Sequence, residues 1–147
     1  MASLNNYLIH QALHDQRAEK ARSYVVLRGA GVVGYFSLAA ASVEPHEVTV
    51  RLAKGQGRQP IPVILLGRLA VELGGQGRGL GEALLVEALR RCAAAADAIG
   101  ARAVLVHAVD EAAKGFYAKY GFEESPTSPL HLLMLMKDIR KTLRTGG

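Results

Sequence analysis

The chain reads as an α/β (α+β) domain built on a mixed β-sheet, and three observations lead to that reading. Runs rich in β-branched residues alternate with segments of helical apolar spacing, in the order α-β-β-β-α-β-α-β. A glycine-rich stretch, Leu73-Gly74-Gly75-Gln76-Gly77-Arg78-Gly79-Leu80-Gly81, opens directly into a long helical segment. The 147 residues, half of them hydrophobic, suit one domain over 1–147 with one core.

Residues Leu4 to Arg22 carry Leu4, Leu8, Ala12 and Ala18 at the spacing of one apolar helix face. Ser23–Arg28, the turn Gly29-Ala30-Gly31 and Val32–Ala40 form a predicted β-hairpin. Val43–Pro60 is mixed, with a loop marked by Gly55, Gly57, Pro60 and Pro62. Val63–Glu72 is an almost continuous apolar run, as in a buried central strand, interrupted by Gly67 and Arg68. In the predicted helix 80–98, Leu80, Ala83, Leu84, Ala88, Leu89, Cys92 and Ala96 share one face, and Gly100 is a natural stop. Ala103–Val109 is a further buried strand. Asp110 caps a predicted helix from Glu111 to Tyr120 that Gly121 ends. Leu130–Met136 is a last strand, and Lys137–Arg144 a basic tail with helical character.

Composition narrows the function classes. A lone cysteine, Cys92, excludes an internal disulfide; in its Ala-rich helical setting it reads as a buried thiol rather than a nucleophile. The N-terminus lacks the basic and apolar regions of a signal peptide, and no apolar run approaches membrane-spanning length, so a cytoplasmic protein is expected. No residue is assigned to a metal. The net charge of +5 fits either a polyanionic partner or the solubility of a small domain.

The glycine stretch is the first feature with chemistry. At a strand-to-helix turn, glycines let a ligand approach the backbone. The first-turn N–H groups of the helix have no intrahelical acceptor and attract phosphate. A Walker loop is absent, because no Lys-Ser or Lys-Thr follows the glycines. The dinucleotide pattern G-x-G-x-x-G also fails, since its last position falls on Leu80 or Glu82.

Gln76-x-x-Gly79-x-Gly81 matches the Gln/Arg-x-x-Gly-x-Gly/Ala signature of the GNAT N-acetyltransferase superfamily, and Asp110 to Phe122 resembles that superfamily's N-x-x-A-x-x-F-Y-x-x-x-G-F pattern, with Asp110 in place of Asn. The resemblance implies acetyl-coenzyme A as cofactor and a mostly antiparallel sheet flanked by helices. It also implies a central strand that bulges and splays from its neighbour. By resemblance, the backbone of Leu69, Ala70 and Val71 bonds the pantetheine arm. The amides of Gln76, Gly77, Arg78, Gly79, Leu80, Gly81 and Glu82 hold the pyrophosphate. Asp110, Ala113 and Phe116 complete the cofactor site, and Tyr117 is the acid that protonates the leaving thiolate. Glu72 and His107 are the two candidates for a base, and an α-amine of low pKa needs neither.

The segments Gly34–Ala39, Leu66–Val71, Val106–Asp110 and Ser125–Pro129 are similar to the tRNA-acetylating toxins of toxin–antitoxin pairs. That similarity implies an aminoacyl-tRNA substrate, a ribbon–helix–helix antitoxin and a homodimer. Arg68, Arg22 and Arg51 are candidate substrate contacts. Arg17, Lys20, Lys54, Arg58, Arg140, Lys141 and Arg144 are further candidates for phosphate. The superfamily's first strand has no counterpart in the matched part, so the sheet is expected to lack it. Two other readings stay open: an acetyltransferase for a small amine or protein N-terminus, and a shortened inactive chain that only binds its antitoxin.

Overall fold

The computed structural model describes residues 8–11, 21–28, 31–71 and 79–145. In chain order the elements are β1 (Leu8–Gln11), β2 (Ala21–Arg28), β3 (Gly31–Val43), a 3₁₀ turn (Pro45–Glu47), α1 (Val50–Ala53), β4 (Ile61–Val71), α2 (Leu80–Ile99), β5 (Ala103–His107), α3 (Glu111–Lys119), β6 (Glu123–Glu124), β7 (His131–Leu135) and α4 (Met136–Thr145). The strands form one sheet in the order β1-β2-β3-β4-β5-β7-β6, antiparallel throughout except for the β4–β5 pair.

Apolar side chains cover both faces of this sheet. On one face Phe36, Leu38, Ile64, Leu66, Val104, Val106, Leu132 and Met134 pack with Leu84, Leu85, Ala88 and Cys92 of α2, Tyr117 of α3 and Ile139 of α4. On the other, Val43, Ile61, Val63, Ala103, Leu105, Leu133 and Leu135 pack with Leu52 of α1. Every residue predicted for the buried stripe of α2 is buried there, with Leu85 added. Each such leucine contributes about 1.5–3 kcal/mol on burial.

The predicted helix over Leu4–Arg22 is not what the described part of that segment forms. Residues 8–11 are the edge strand β1, paired Leu8↔Leu27 through Gln11↔Tyr24, and β2 already begins at Ala21. Spacing alone did not reveal this, because the interstrand hydrogen bonds that stabilise a four-residue strand come from residues distant in sequence. The sheet accordingly carries a strand outside β2 where none was expected. The two-residue β6 was also not predicted, and β5 ends at His107 rather than Val109. The hairpin β2–β3, the central strand β4, the glycine stop at Gly100 (φ 68°) and the helical tail agree with the sequence reading.

Candidate active site

The site begins where two parallel strands part. β4 and β5 pair from Val63↔Ala103 to Leu66↔Val106 and no further, yet β4 runs on to Val71. Among the described residues, no strand lies against the β5 side of β4 from Gly67 to Ala70. On its other side β4 bulges: Ser37 pairs with Gly67 and Tyr35 with Ala70, so Arg68 and Leu69 together oppose Phe36. Such a bulge bends and twists its strand, which turns β4 away from β5 and leaves a wedge. The Ser37 hydroxyl donates to the Gly67 carbonyl at 2.9 Å, pinning the bulge at its first residue. A Cβ at position 67 would lie 2.9 Å from that same Oγ, so glycine is the residue that fits.

The N-terminus of α2 lies beside this wedge. Gly79 takes the left-handed conformation (φ 76°) that releases the chain into the helix. The first intrahelical bond runs from the Ala83 N–H to the Gly79 carbonyl. The amides of Leu80, Gly81 and Glu82 therefore precede the helix ladder and have no acceptor within it. Gly81 faces α3: a Cβ there would be 3.8 Å from the Phe116 ring. Gln76, Gly77 and Arg78 of the predicted cradle, and Glu72, lie outside the described residues.

α3 supplies the aromatic side. Asp110 is its N-cap, with a carboxylate oxygen accepting from the Ala113 N–H at 2.8 Å. That contact accounts for a short polar side chain at this position. Asp110→Ala is expected to lower stability by about 1 kcal/mol while Asp110→Asn preserves it, as thermal unfolding of the two variants would show. Phe116 stands edge-on to Tyr117, with centroids 5.4 Å apart, and Tyr117 edge-on to Phe122 at the same separation. Tyr117 is only 7% exposed, and burial pushes its phenol up to about 12. It is thus a proton donor through the whole physiological range. Cys92, buried in α2, is likewise raised to about 12 by burial and is no nucleophile at neutral pH.

The predicted residues divide into two groups. Leu69, Ala70 and Val71, the start of α2 from Gly79 to Glu82, and Asp110, Ala113, Phe116 and Tyr117 belong to the elements that border the wedge. The arginines do not converge there. Arg51 sits on α1, bidentate to Asp138 at 2.6 and 2.9 Å and 3.3 Å from Glu123, so it ties α1 to α4 and β6. Arg22 lines an apolar groove of about 560 Å³ between β2, β3 and α2, with Tyr24, Ile64 and Arg91. Arg68 stands in the β4 bulge; its side chain lies outside the described residues. Arg140 pairs with Asp97 at 3.0 Å. Lys54, Arg58, Lys141 and Arg144 are exposed, and Arg17 and Lys20 lie outside the described residues.

His131 escaped the sequence reading. It stands opposite His107 in the β5–β7 register, and the two imidazoles stack with centroids 4.0 Å apart and planes 15° from parallel. The signal was present only as two histidines at the ends of two apolar strands, and their pairing needs the register.

An open strand edge bent from its parallel neighbour fits an amide-bearing arm, and the free amides of a helix start fit a pyrophosphate. Together they are the features that an acyl-coenzyme A site requires. The chain belongs to the acetyltransferase (GNAT) domain family, whose model matches residues 19–124. Among individual relatives, a tRNA-acetylating toxin of Mycobacterium tuberculosis is 48% identical over 138 residues, spanning 94% of this chain and 82% of the relative. Among solved structures, AtaT complexed with acetyl-methionyl-tRNAfMet superposes with a TM-score of 0.82 at 23% identity, over 92% of this chain and 98% of that one. A point mutant of the AtaT toxin, bound to the C-terminus of the antitoxin AtaR and acetyl-CoA, gives 0.77 at 22% identity over 95% and 99%. These two structural likenesses establish the fold.

Proposed function

We propose that the protein transfers acetyl from acetyl-coenzyme A to the α-amine of aminoacyl-tRNA, and so acts as a translation-blocking toxin held in check by an antitoxin. The observation that carries this reading is the 48% identity, over nearly the whole chain, to a tRNA-acetylating toxin. The wedge and its aromatic wall supply the matching chemistry.

The cofactor brings the acetyl group as an activated thioester. The edge of β4 at Leu69, Ala70 and Val71 offers backbone groups to the pantetheine arm, as an added strand would use them. The amides of the segment from Gln76 to Glu82, with the α2 dipole behind its end, bind the pyrophosphate. Asp110 and Ala113 fix the start of α3, and Phe116 packs between the first turn of α2 and Tyr117. Tyr117 holds a proton at its phenol oxygen where a departing thiolate requires one. Lys54, Arg58, Lys141, Arg144 and Arg22 are exposed positive side chains available to tRNA phosphates. Arg68, a residue of the β4 bulge, is a candidate substrate contact. Arg51 is assigned a structural role. The antitoxin is of the ribbon–helix–helix type, the toxin is a homodimer, and both act in the cytoplasm. No helix among the described residues is long and apolar enough to cross a membrane.

Incubating the protein with labelled acetyl-coenzyme A and total charged tRNA tests the reading. Label should appear on the aminoacyl group of one or a few tRNAs. Unlabelled tRNA, from protein that binds the cofactor normally, would overturn it.

A further inference from the structure

We propose that His107, backed by His131, accepts the proton of the incoming amine, from the face of the sheet opposite Tyr117. This inference rests on the acetyl-transfer reading above, and it assigns a base that the glycine loop and the tyrosine motif leave unspecified.

His107 is the last residue of β5 and follows Val106, whose partner Leu66 ends the parallel pairing. His107 therefore sits at the apex of the wedge. Side chains alternate along a strand. Val104 and Val106 lie in the cluster that holds Tyr117, whereas Ala103 and Leu105 lie in the cluster on the other face. His107 follows Ala103 and Leu105 in that alternation. Leu133 and Leu135 share the same face, so His131 stands there too, and its stack on His107 at 4.0 Å agrees. An acyl group seated in the wedge would thus have a buried phenol on one side and an exposed imidazole on the other. An amine arriving from the open side meets the imidazole.

Electrostatics supports the assignment. Partial burial, and then His131, lowers the pKa of His107 below its ordinary value, so the ring is neutral with a free lone pair at neutral pH. The stacked His131 ring disfavours a positive charge on His107. Among the described residues, several nearby charged groups are engaged elsewhere. On the same face Arg51, Glu123 and Asp138 bind one another. In the following turn the Asp110 carboxylate caps α3. Glu124 of β6 pairs with Lys114 of α3, and Glu47 accepts from the Glu44 N–H. Across the wedge β4 presents Gly67, which has no side chain. His131 is the titratable group that faces His107 from β7.

The proton balance closes. The amine nitrogen bonds the acetyl carbon as the carbon–sulfur bond breaks. The amine N–H proton passes to the unprotonated ring nitrogen of His107, and the Tyr117 O–H proton passes to sulfur. One proton exchanged through solvent from imidazolium to phenolate restores both groups.

Two measurements test this. In the first, imidazole proton resonances are followed against pH, with and without an aminoacyl amide. His107 should titrate below its ordinary value and shift when the amide is added, and its pKa should rise in His131→Phe. A His107 resonance indifferent to the amide would overturn the proposal. In the second, kcat/KM is recorded against pH with charged tRNA and with the same aminoacyl amide. His107→Gln should lower it at neutral pH by about 10²-fold, with acetyl-coenzyme A affinity unchanged. His131→Phe should move the acid limb to higher pH, because the base must be unprotonated and loses the neighbour that lowers its pKa. An active wild type with an unaltered His107→Gln profile would overturn this assignment alone. A wild type that binds the cofactor but acetylates neither acceptor would overturn the acetyl-transfer reading, and this proposal with it.

Discussion

Tyr117→Phe should reduce acetyl transfer by about 10² to 10⁴-fold, the range expected when a positioned general acid is removed, while leaving the fold and the cofactor affinity in place. The ring of Tyr117 is held by the rings of Phe116 and Phe122 at 5.4 Å on either side, and phenylalanine keeps both contacts. Only the hydroxyl is lost, so a matching unfolding curve with collapsed activity assigns the effect to the proton. The pH dependence follows from the same burial. An acid works while protonated, and the pKa of this one is raised to about 12. Its contribution is therefore complete at neutral pH and falls only as the pH approaches that value. An alkaline decline near neutrality in the wild type must come from another group. A Tyr117→Phe enzyme with nearly full activity would remove the residue from the chemistry and return it to the core.

The second large effect concerns a glycine that no sequence motif singles out for its geometry. Gly34→Val should destabilise the protein by about 1–3 kcal/mol, the range for forcing extra atoms into a packed interior. A Cβ at Gly34 would lie 3.1 Å from the backbone oxygen of Ala70 and 3.2 Å from Cδ2 of Leu84. One neighbour is the bulged strand of the site and the other the buried stripe of α2, so neither yields without moving the wedge. Weaker binding of acetyl-coenzyme A should accompany the lost stability. Gly115 is the control. It lies in α3 with nothing within 4 Å of a Cβ, so Gly115→Ala should stabilise by about 1 kcal/mol through helix propensity alone. Denaturant unfolding of the two variants should give opposite signs. A Gly34→Val protein as stable as the wild type would show that β3 and β4 adjust more freely than this packing allows.

These examples separate what was legible from what was not. The stripe of α2 was read correctly because helical periodicity is local: seven apolar residues at that spacing mark the face regardless of what covers it. The Asp110 cap was legible for the same reason, since its partner is the Ala113 amide three residues on. β1 was not, because residues 8–11 obtain their hydrogen bonds from residues 24–27. Arg51 was read as a substrate contact because an arginine in a loop-like segment shows only its charge. Its partners Asp138 and Glu123 belong to elements far along the chain.

The sequence by itself determined the local pieces: a glycine before a long helix, a capped helix carrying Phe116 and Tyr117, and a central apolar strand interrupted at Gly67-Arg68. Each is a pattern within a few residues, where spacing and backbone preference suffice. Only the tertiary structure decided where the sheet opens, after Leu66↔Val106, and that a two-residue bulge opposite Phe36 turns the strand. It alone decided that Tyr117 and His107 stand on opposite faces, and that His131 stacks on His107. Those facts depend on register between strands distant in sequence. A shift of one residue would exchange the faces, and no local spacing records it.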